Sequence, residues 1–497
     1  MNGLAEHNVR KRPYVKGSQK LALGIGDFGY SMVSCTIATY IMSFGTMAVG
    51  VPATLMGIAI AIGTIFDAVS DPIIGYLSDR GKNRFFGKRL GYVLFGLLLM
   101  SVNGILIWSV PMSMGNFGKF LWFAIGLTML RTWNTLYYTP VGAFSVEISN
   151  DYNERTNIQA IRSIFYIIGM ILPVVLMGIF QNRYAIRNEA GEVIVKGQFF
   201  VQGYVDFAYI ASAICLVTTV IIFVMVYSNI PRMRIKQEQE EVRETAERQK
   251  GGLKKVLMDF FAVLKNKDMR YIIFGYAISM ISATLIITLG FHVFTFTFTT
   301  STLQMYILMG GLLVMTIAGQ PIWMKLSKKY DKKRTMLLGL CISLAGCVMI
   351  FFMFLFRDTM NTLMAKGTAY VAIMLPPLMI AGLGTGVLYS MPLALIGDII
   401  VKNKSQNQGE NTGTYAGMMT FSYKVSQALT QLMAGVMLDV IGFQEGSSVQ
   451  TESTAIGLGW VLCVGIILAV TTGILIFSRL KVDKEEITRL MEEDEVA

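Results

Sequence analysis

The sequence predicts an all-α membrane protein with twelve transmembrane helices in two six-helix halves. Two properties of the composition point there: 54% of the 497 residues are hydrophobic and only 15% are charged. A soluble domain carries about 25% charged residues, so this chain cannot cover a water-facing surface of its size. A third observation is that long apolar runs follow one another along the chain. The composition therefore excludes a cytosolic enzyme and a disordered protein.

The apolar runs predict twelve spans, because a bilayer core about 30 Å thick needs about 20 apolar residues per helix. A polar tail, 1–20, precedes them and lacks the apolar core of a removable signal. The predicted N-terminal bundle, 21–229, contains spans 21–48, 54–78, 90–111, 118–141, 160–181 and 206–229. The predicted C-terminal bundle, 270–480, contains spans 271–298, 303–326, 335–356, 368–400, 413–440 and 455–479.

The basic residues predict the orientation of the chain. They concentrate in alternate connections, including 80–89, 232–270 and 325–334. Connections rich in Lys and Arg face the cytoplasm. We therefore expect a multi-pass protein of the plasma or inner membrane, with the tail 1–20 and the tail 481–497 both cytoplasmic. This topology also explains the excess of 43 Lys and Arg over 32 Asp and Glu, so no nucleic-acid partner is expected.

The midpoint of the chain carries a polar, charge-dense stretch, 230–269, which predicts a cytoplasmic linker between two halves. A weak repeat supports this division, since Asp71-Pro72-Ile73 recurs as Gln320-Pro321-Ile322 at an offset of 320 minus 71, or 249 residues. Two parallel halves with a binding site between them are the arrangement of the major facilitator transporters. We expect that fold.

Charged side chains inside membrane helices usually face a cavity, a partner or a transport pathway. Asp67 and Asp71 are four residues apart, which places both carboxylates on one face of the second span. Two such carboxylates repel each other unless a cation lies between or beside them. The pair predicts a site for a coupling cation, Na⁺ or H⁺. In the alternative interpretation, Asp71 caps the helix break at Pro72 and Asp67 pairs with a basic residue elsewhere.

A polar stripe in the fourth span contains Arg131, Thr135 and Tyr138, and the first span carries Asp27 and Ser31 one turn apart. Arg131 has the planar fork that binds a carboxylate, and the tyrosines suit a sugar ring. These residues are candidate substrate ligands. The alternative for Arg131 is an internal ion pair with Asp27.

Two further cations lie in later spans. Lys424 is about three turns from the nearer end of its span, too deep for its ammonium to reach the membrane surface easily. We expect it to reach the N-terminal carboxylates and to contribute to both the cation and the substrate site. Arg162, near the start of the fifth span, could be a gate or an interfacial anchor, and it is included among the candidate substrate residues. His292 lies in an apolar run and is interpreted as a core histidine.

Motifs of enzymes and of ATP-driven pumps do not occur in the sequence: it has no HExxH, CxxC, GxSxG or Walker lysine. The five cysteines all lie in apolar stretches, which is typical of small hydrophobic residues. We therefore expect neither an enzyme nor a cofactor, and no metal beyond a Na⁺ ion at Asp67 and Asp71.

The stretch from Asp67 to Arg80, DAVSDPIIGYLSDR, resembles the signature of the glycoside-pentoside-hexuronide:cation symporters, the family of the melibiose permease. Within and after it, Gly75, Asp79, Arg80, Lys88 and Arg89 resemble the gating-loop motif of the wider major facilitator superfamily. Further agreement occurs at Thr139-Pro140, Glu154-Arg155 with Arg162, and Gly413 with Lys424. The resemblance therefore involves both halves.

This resemblance implies that Asp67, Asp71 and Thr135 bind the coupling cation, with Lys424 as an electrostatic partner. It also implies that Arg162 organises the substrate cavity. Two acidic sugar-binding positions of melibiose-permease-like members fall on Ser31 and Tyr138 here, and their stacking tryptophan falls on Gly142. A galactoside held by two carboxylates is therefore not expected, whereas Arg131 would suit an anionic hexuronide.

Together these features predict a monomeric symporter that imports a glycoside, pentoside or hexuronide with Na⁺ or H⁺ by rocking its halves about a central site. Two other functions stay open. A lipid or drug transporter of the same fold would suit a cavity rich in the 33 Met and 30 Phe of the chain. A sensor without transport activity would signal through the linker 230–269.

Overall fold

The computed structural model describes residues 15–80, 89–149, 152–227, 263–405, 412–481 and 489–490. The described chain is helical apart from short turns, loops and one two-stranded antiparallel sheet. The predicted all-α class is confirmed. Most of the predicted linker 230–269 lies outside the described residues, and its last part forms a 3₁₀ turn and the beginning of the next helix.

Long helices make up the described part of the N-terminal half. They are α1 Gly17–Ser43, α2 Ala53–Arg80, α3 Leu90–Trp108, α4 Asn116–Glu147, α5 Tyr152–Arg183 and α6 Val201–Tyr227. A π-helical turn, Phe44–Ala48, extends α1. Between α5 and α6 the chain forms a β-hairpin, β1 Ile186–Arg187 and β2 Val193–Val195, and then a 3₁₀ turn, Gly197–Phe199.

The C-terminal half contains longer and shorter helices. They are α7 Lys267–His292, α8 Thr302–Lys329, α9 Lys332–Leu355, α10 Arg357–Ala365, α11 Val371–Gly386, α12 Met391–Ser405, α13 Thr412–Val440 and α14 Glu452–Ser478. A π-helical turn, Val293–Thr297, extends α7. The predicted span 368–400 is divided into α11 and α12 by the 3₁₀ turn Val387–Tyr389. Pro392 follows this turn, and proline lacks the N–H that an uninterrupted helix needs.

Ten helical segments of the described chain are long and apolar enough to cross a membrane. The two predicted spans outside these ten, 118–141 and 413–440, lie in α4 and α13. These helices contain 32 and 29 residues, and about 20 residues of α-helix already extend 30 Å. Length is therefore sufficient, and both helices are less apolar because they carry the polar candidate site residues Arg131, Thr135 and Lys424.

The halves pack through three helix pairs, α2 with α13, α5 with α8, and α1 with α7. The first pair crosses with its backbones close together at Gly57 and Gly435. A Cβ atom added to Gly57 would lie 2.9 Å from the carbonyl oxygen of Gln431, and one added to Gly435 would collide with the carbonyl of Ala53. Small residues allow such close approach between membrane helices, so glycine is required at this crossing.

The two ends of the molecule differ. We call the end that carries the β-hairpin the hairpin face, and the opposite end, where α1 begins and α14 ends, the terminal face. On the hairpin face the N–H of Gly446 donates to the carbonyl of Thr46 at 2.9 Å. The N–H groups of Ala53 and Thr54, at the start of α2, donate to the Asp439 carboxylate at 3.2 and 3.0 Å. These bonds join the two halves, so the hairpin face is closed.

His292 lies inside this closed interface. It is fully buried, and its Nε2 is 2.8 Å from the Thr46 hydroxyl of the other half. The Phe443 ring packs edge-on against the imidazole, with ring centroids 5.3 Å apart. This position agrees with the interpretation of His292 as a core histidine.

Candidate cation and substrate site

The carboxylates of Asp67 and Asp71 meet the Thr135 hydroxyl between α2 and α4. The Thr135 Oγ1 lies 2.8 Å from Asp67 Oδ1 and 2.9 Å from Asp71 Oδ1. A hydroxyl has one hydrogen, so Thr135 donates to one carboxylate at a time. Asp67 is 5% exposed. Because α2 turns once every 3.6 residues, the spacing of four places both acids toward α4.

Lys424 reaches the same two carboxylates from α13 in the other half. Its Nζ lies 2.8 Å from Asp67 Oδ2 and 2.6 Å from Asp71 Oδ2. Arg131 Nη1 lies 3.9 Å from Asp67 Oδ2. Two positive charges thus balance two negative charges in a largely buried cluster. We call Asp67, Asp71, Thr135, Lys424 and Arg131 the bridging cluster, because its bonds join the halves.

The structure therefore brings together all four residues predicted to form the cation site. The Lys424 ammonium lies between the two carboxylates, where the repulsion between them would otherwise be greatest. Across the residues that the structure describes, no group of three or more His, Cys, Asp or Glu could hold a metal ion. A monovalent cation here would depend on the two carboxylates and the Thr135 hydroxyl.

A second buried charge cluster joins α1, α4 and α5 within the N-terminal half. Arg162 Nε donates to Asp27 Oδ2 at 2.7 Å, and its Nη2 lies 3.3 Å from Asp27 Oδ1. The Tyr137 hydroxyl also donates to Asp27 Oδ1, at 2.7 Å. Asp27 and Arg162 are 3% and 6% exposed. This fork-shaped pairing is the strong, directional kind that arginine makes with carboxylates.

Arg162 is fixed further by its neighbours on α4 and α5. Its Nη1 donates to the Ser145 hydroxyl at 2.9 Å and to Gln159 Oε1 at 3.3 Å. Gln159 in turn donates to Ser145 Oγ at 2.7 Å. We call Asp27, Tyr137, Ser145, Gln159 and Arg162 the N-half network. Its single negative and single positive charge cancel.

A cavity of about 470 Å³ lies beside the N-half network. Its lining consists of Asp27, Tyr138, Gly142, Gln159, Arg162, Ser163, Tyr166, Ile167 and Tyr389. Tyr389 comes from the C-terminal half, so the cavity lies between the halves. Tyr138 is 54% exposed, and a Cβ atom added to Gly142 would have no neighbour within 4 Å. The lining thus offers tyrosine rings, one ion pair and open space at Gly142.

Four predicted substrate residues do not line this cavity. Ser31 is fully buried, and its hydroxyl donates to the carbonyl of Phe28 at 3.0 Å. Arg131, Thr135 and Lys424 belong to the bridging cluster instead. The alternative prediction of an ion pair between Arg131 and Asp27 is wrong, because Arg131 projects from α4 toward α2 whereas Arg162 reaches Asp27 from α5.

The predicted gating loop is only partly described. Gly75 lies near the Thr139 methyl group, 3.6 Å from where its Cβ would be, and the Arg89 side chain is buried. Lys88 and the side chains of Asp79 and Arg80 lie outside the described residues. The role of this loop stays a prediction.

Sequence reasoning missed several cavity residues: Ser145, Gln159, Tyr166 and Tyr389 belong to the network or the cavity lining. Gln159 carried a usable signal, because it precedes Arg162 by three residues and so shares its helix face. Tyr389 carried none, since it reaches the cavity from the other half.

Comparison with known proteins gives a match over nearly the whole chain. The model of a family described as MFS/sugar transport protein matches residues 22–484. An uncharacterized symporter of Synechocystis is 36% identical over 165 residues, which cover 32% of this chain and 30% of that protein. A sodium-dependent lysophosphatidylcholine symporter of Xenopus tropicalis is 21% identical over 481 residues, covering 94% of this chain and 87% of the relative.

The fold is also found among solved structures. A bacterial homolog of the human lysosomal transporter Spinster superimposes with a TM-score of 0.62, covering 93% of this chain and 96% of that one at 12% identity. At this identity the likeness concerns the fold alone. Together with the family match, it confirms the predicted major facilitator architecture.

Proposed function

Because the chain belongs to the MFS/sugar transport family, we propose that it imports a glycoside, pentoside or hexuronide together with a cation. Family membership and the symporter relatives make the chain a multi-pass membrane secondary transporter, which is not an enzyme. The proposal further assigns it to the glycoside-pentoside-hexuronide:cation symporters. The observation that carries the choice of a sugar is the composition of the 470 Å³ cavity.

The cavity suits a polyhydroxylated ring. Tyr138, Tyr166 and Tyr389 offer amphipathic rings on which a sugar could stack. The Asp27–Arg162 pair supplies acceptors and donors side by side for the substrate hydroxyls. Arg162 is already neutralised by Asp27, and Arg131 lies in the bridging cluster. A neutral glycoside therefore fits this lining better than a hexuronide.

The bridging cluster supports coupling to a cation. The carboxylates belong to one half and Lys424 to the other, so its contacts with Asp67 and Asp71 hold the halves together. A Na⁺ ion or proton taken up by the carboxylates weakens their attraction for Lys424, and the halves are then free to change their relative tilt. With the termini in the cytoplasm, as the basic connections predict, the closed hairpin face is the extracellular one.

Uptake into proteoliposomes tests the proposal. The purified protein is supplied with radiolabelled neutral glycosides, pentosides and hexuronides under an inward Na⁺ gradient, an inward H⁺ gradient, or neither. We expect accumulation of a neutral glycoside above its external concentration with one cation gradient, and equilibration without it. The proposal would be overturned if no sugar accumulates under either gradient while a thermal unfolding measurement shows that the protein is folded.

Lipid transport is the second candidate, and one structural observation favours it. A cavity of about 560 Å³ lies between α5 and α8, at the junction of the halves, with a lining that includes Val174, Gly178, Tyr306, Gly310 and Leu313. Such an apolar cleft could hold an acyl chain. The match to the lysophosphatidylcholine symporter of Xenopus tropicalis covers 94% of this chain. Cation-driven uptake of lysophosphatidylcholine in the same vesicles, without sugar uptake, would select this function.

A further inference from the structure

A second polar cavity, of about 510 Å³, lies on the hairpin face, away from the cavity beside the N-half network. One wall comes from the N-terminal half and contains Asn182, Arg187, Val193 and Lys196. The other wall comes from the C-terminal half and includes Thr299, Leu303, Gln304, Met364 and Gly367. The lining includes two cationic side chains and no acidic one. We call it the hairpin-face pocket.

Lys196 is the central cation of this pocket. Its Nζ donates to the carbonyl of Thr295, in the other half, at 3.2 Å. No carboxylate within the described ranges forms an ion pair with Lys196. Burial without an anionic partner lowers the pKa of Lys196 to about 8. The ammonium has three donors, of which one is used by Thr295, so donors remain for an anion.

Arg187 supplies the second positive charge from a braced position. Its Nη1 donates to the carbonyl of Gly191 at 3.0 Å, and its Nη2 donates to Asn182 Oδ1 at 2.9 Å. These bonds tie the β-hairpin to the end of α5. They hold the guanidinium in place while leaving it without a carboxylate partner among the residues described.

The opposite wall is also braced. Gln304 Nε2 donates to the carbonyls of Met364 and Gly367 at 2.8 and 3.2 Å, which fixes the connection after α10 to the beginning of α8. Thr299, on the same wall, has a φ of +44°. A β-branched residue rarely adopts a positive φ, and such strained positions cluster at ligand clamps and functional sites.

We propose that the hairpin-face pocket binds a phosphate group, held by Lys196 and Arg187 against the α8 wall. This site goes beyond the proposed transport of a sugar and does not depend on it. The phosphate would bridge the two halves, because its ligands on one side and the pocket wall on the other belong to different halves. Occupancy therefore stabilises the closed hairpin face.

The phosphate has two possible sources, a free anion or a lipid headgroup. The hairpin-face pocket shares Asn182 and Leu303 with the apolar cleft between α5 and α8. A phospholipid could place its phosphate in the pocket and an acyl chain in the cleft. Free phosphate could enter from the aqueous side.

Calorimetric titration of the full-length protein tests the proposal in two arms. In one arm, inorganic phosphate is titrated into protein held in phosphatidylcholine nanodiscs at constant ionic strength. In the other, lysophosphatidylglycerol is titrated below its micelle concentration. The variants are Lys196→Gln, Lys196→Arg and Arg183→Gln. Arg183 is an exposed cation at the end of α5 outside the pocket lining, so it serves as the matched control.

We expect Lys196→Gln to raise the dissociation constant at least about tenfold in whichever arm shows binding. The dissociation constant of Arg183→Gln should stay within about twofold of the wild-type value. Binding to the wild type should weaken between pH 7 and pH 9 as Lys196 loses its proton, although phosphate gains negative charge over the same range. Lys196→Arg should retain binding at pH 9, because arginine stays protonated. Arg187 is the other charged residue of the lining and stays protonated throughout.

The arms and variants decide between the outcomes. Binding of phosphate alone identifies a free anion, and binding of the lysolipid alone identifies a headgroup; either supports the site. Absence of binding in both arms would overturn it. An equal loss in Arg183→Gln and Lys196→Gln would also overturn it, because the attraction would then belong to the surface charge as a whole.

Discussion

The bridging cluster and the N-half network contain the same chemistry in different places. In each, a long basic side chain neutralises buried aspartate. Lys424 reaches Asp67 and Asp71 from the other half, whereas Arg162 and Asp27 lie in the same half. When the halves move, the first set of bonds must stretch or break and the second can persist. The comparison teaches that the role of a buried ion pair depends on where its two partners lie. A pair that joins the two halves must break or rearrange when the halves move, whereas a pair within one half can stabilise that half throughout the transport cycle.

Removing a carboxylate from the bridging cluster should give the largest effect on transport. Asp67→Asn or Asp71→Cys leaves Lys424 with one acid and removes the charge that a coupling cation would balance. We expect uphill accumulation of substrate to fall about 100-fold or more, equivalent to about 2.7 kcal/mol, while some substrate binding remains. Accumulation under a cation gradient measures the first quantity, and calorimetric titration measures the second.

Asp206→Asn is the matched control for this prediction. Asp206 lies in α6, away from both clusters, and its carboxylate accepts hydrogen bonds from Tyr184 and Gln202. This variant should retain accumulation. Full accumulation by both Asp67→Asn and Asp71→Cys would contradict coupling at the bridging cluster.

Breaking the N-half network should instead cost stability. Arg162→Gln leaves the Asp27 carboxylate buried without its cation, and removing one partner of a buried pair costs about 3–5 kcal/mol. We expect a lower Tm and loss of sugar binding. The double variant Asp27→Asn with Arg162→Gln should recover part of the Tm but not the binding. Recovery of both would show that the pair is only structural.

Filling the cavity at Gly142 should affect binding without affecting stability. The position faces open space, so Gly142→Trp should place its ring in the cavity with a change in unfolding free energy of less than about 0.5 kcal/mol. We expect at least about tenfold weaker glycoside binding, measured by titration, and little change in Gly142→Ala. A Gly142→Trp variant that binds glycoside more tightly would indicate instead that the ring stacks on the sugar.

The smallest expected effect concerns pH at the hairpin face. Glu445 Oε1 accepts from the N–H of Ala53 at 3.1 Å, and burial together with nearby Asp439 raises the pKa of Glu445. A raised carboxyl pKa means that the closed arrangement favours the protonated acid, so closure strengthens as the pH falls through that value and weakens above it. Labelling of Thr54→Cys in a background without native cysteines, with its rate expressed relative to that of a free thiol at the same pH, should therefore be slower at pH 5 than at pH 7. Glu445→Gln should label slowly at both pH values; an unchanged pH dependence in this variant would point to another group.

Much of the architecture could be predicted from the sequence, because apolar runs of about 20 residues and alternating basic connections depend only on local composition. The meeting of Asp67 and Asp71 with Thr135 and Lys424 was also predicted, from helical spacing and from a family resemblance. The polar site residues lower the mean hydropathy of α4 and α13, but the length of these two helices still identified them as membrane spans.

The partner of Asp27 could not be predicted in the same way. Arg131 and Arg162 are both compatible with it by sequence, and the choice depends on how α4 and α5 are rotated about their axes when they pack against α1. The contribution of Tyr389 likewise depends on how one half is placed against the other. No short sequence pattern specifies how a helix is rotated about its axis or how one half is positioned against the other.

The glycine crossing of α2 and α13 has a mechanical consequence. With a rise of 1.5 Å per residue, Asp67 lies about 15 Å along α2 from Gly57, and the end of the helix at Arg80 lies about 35 Å away. If this crossing acts as a fulcrum, a tilt of about 10° moves the carboxylate by about 2.6 Å and the helix end by about 6 Å. The shorter displacement is enough to separate Asp67 from Lys424. α2 would then work as a lever that turns a small change in angle into the difference between an intact and a broken charge contact.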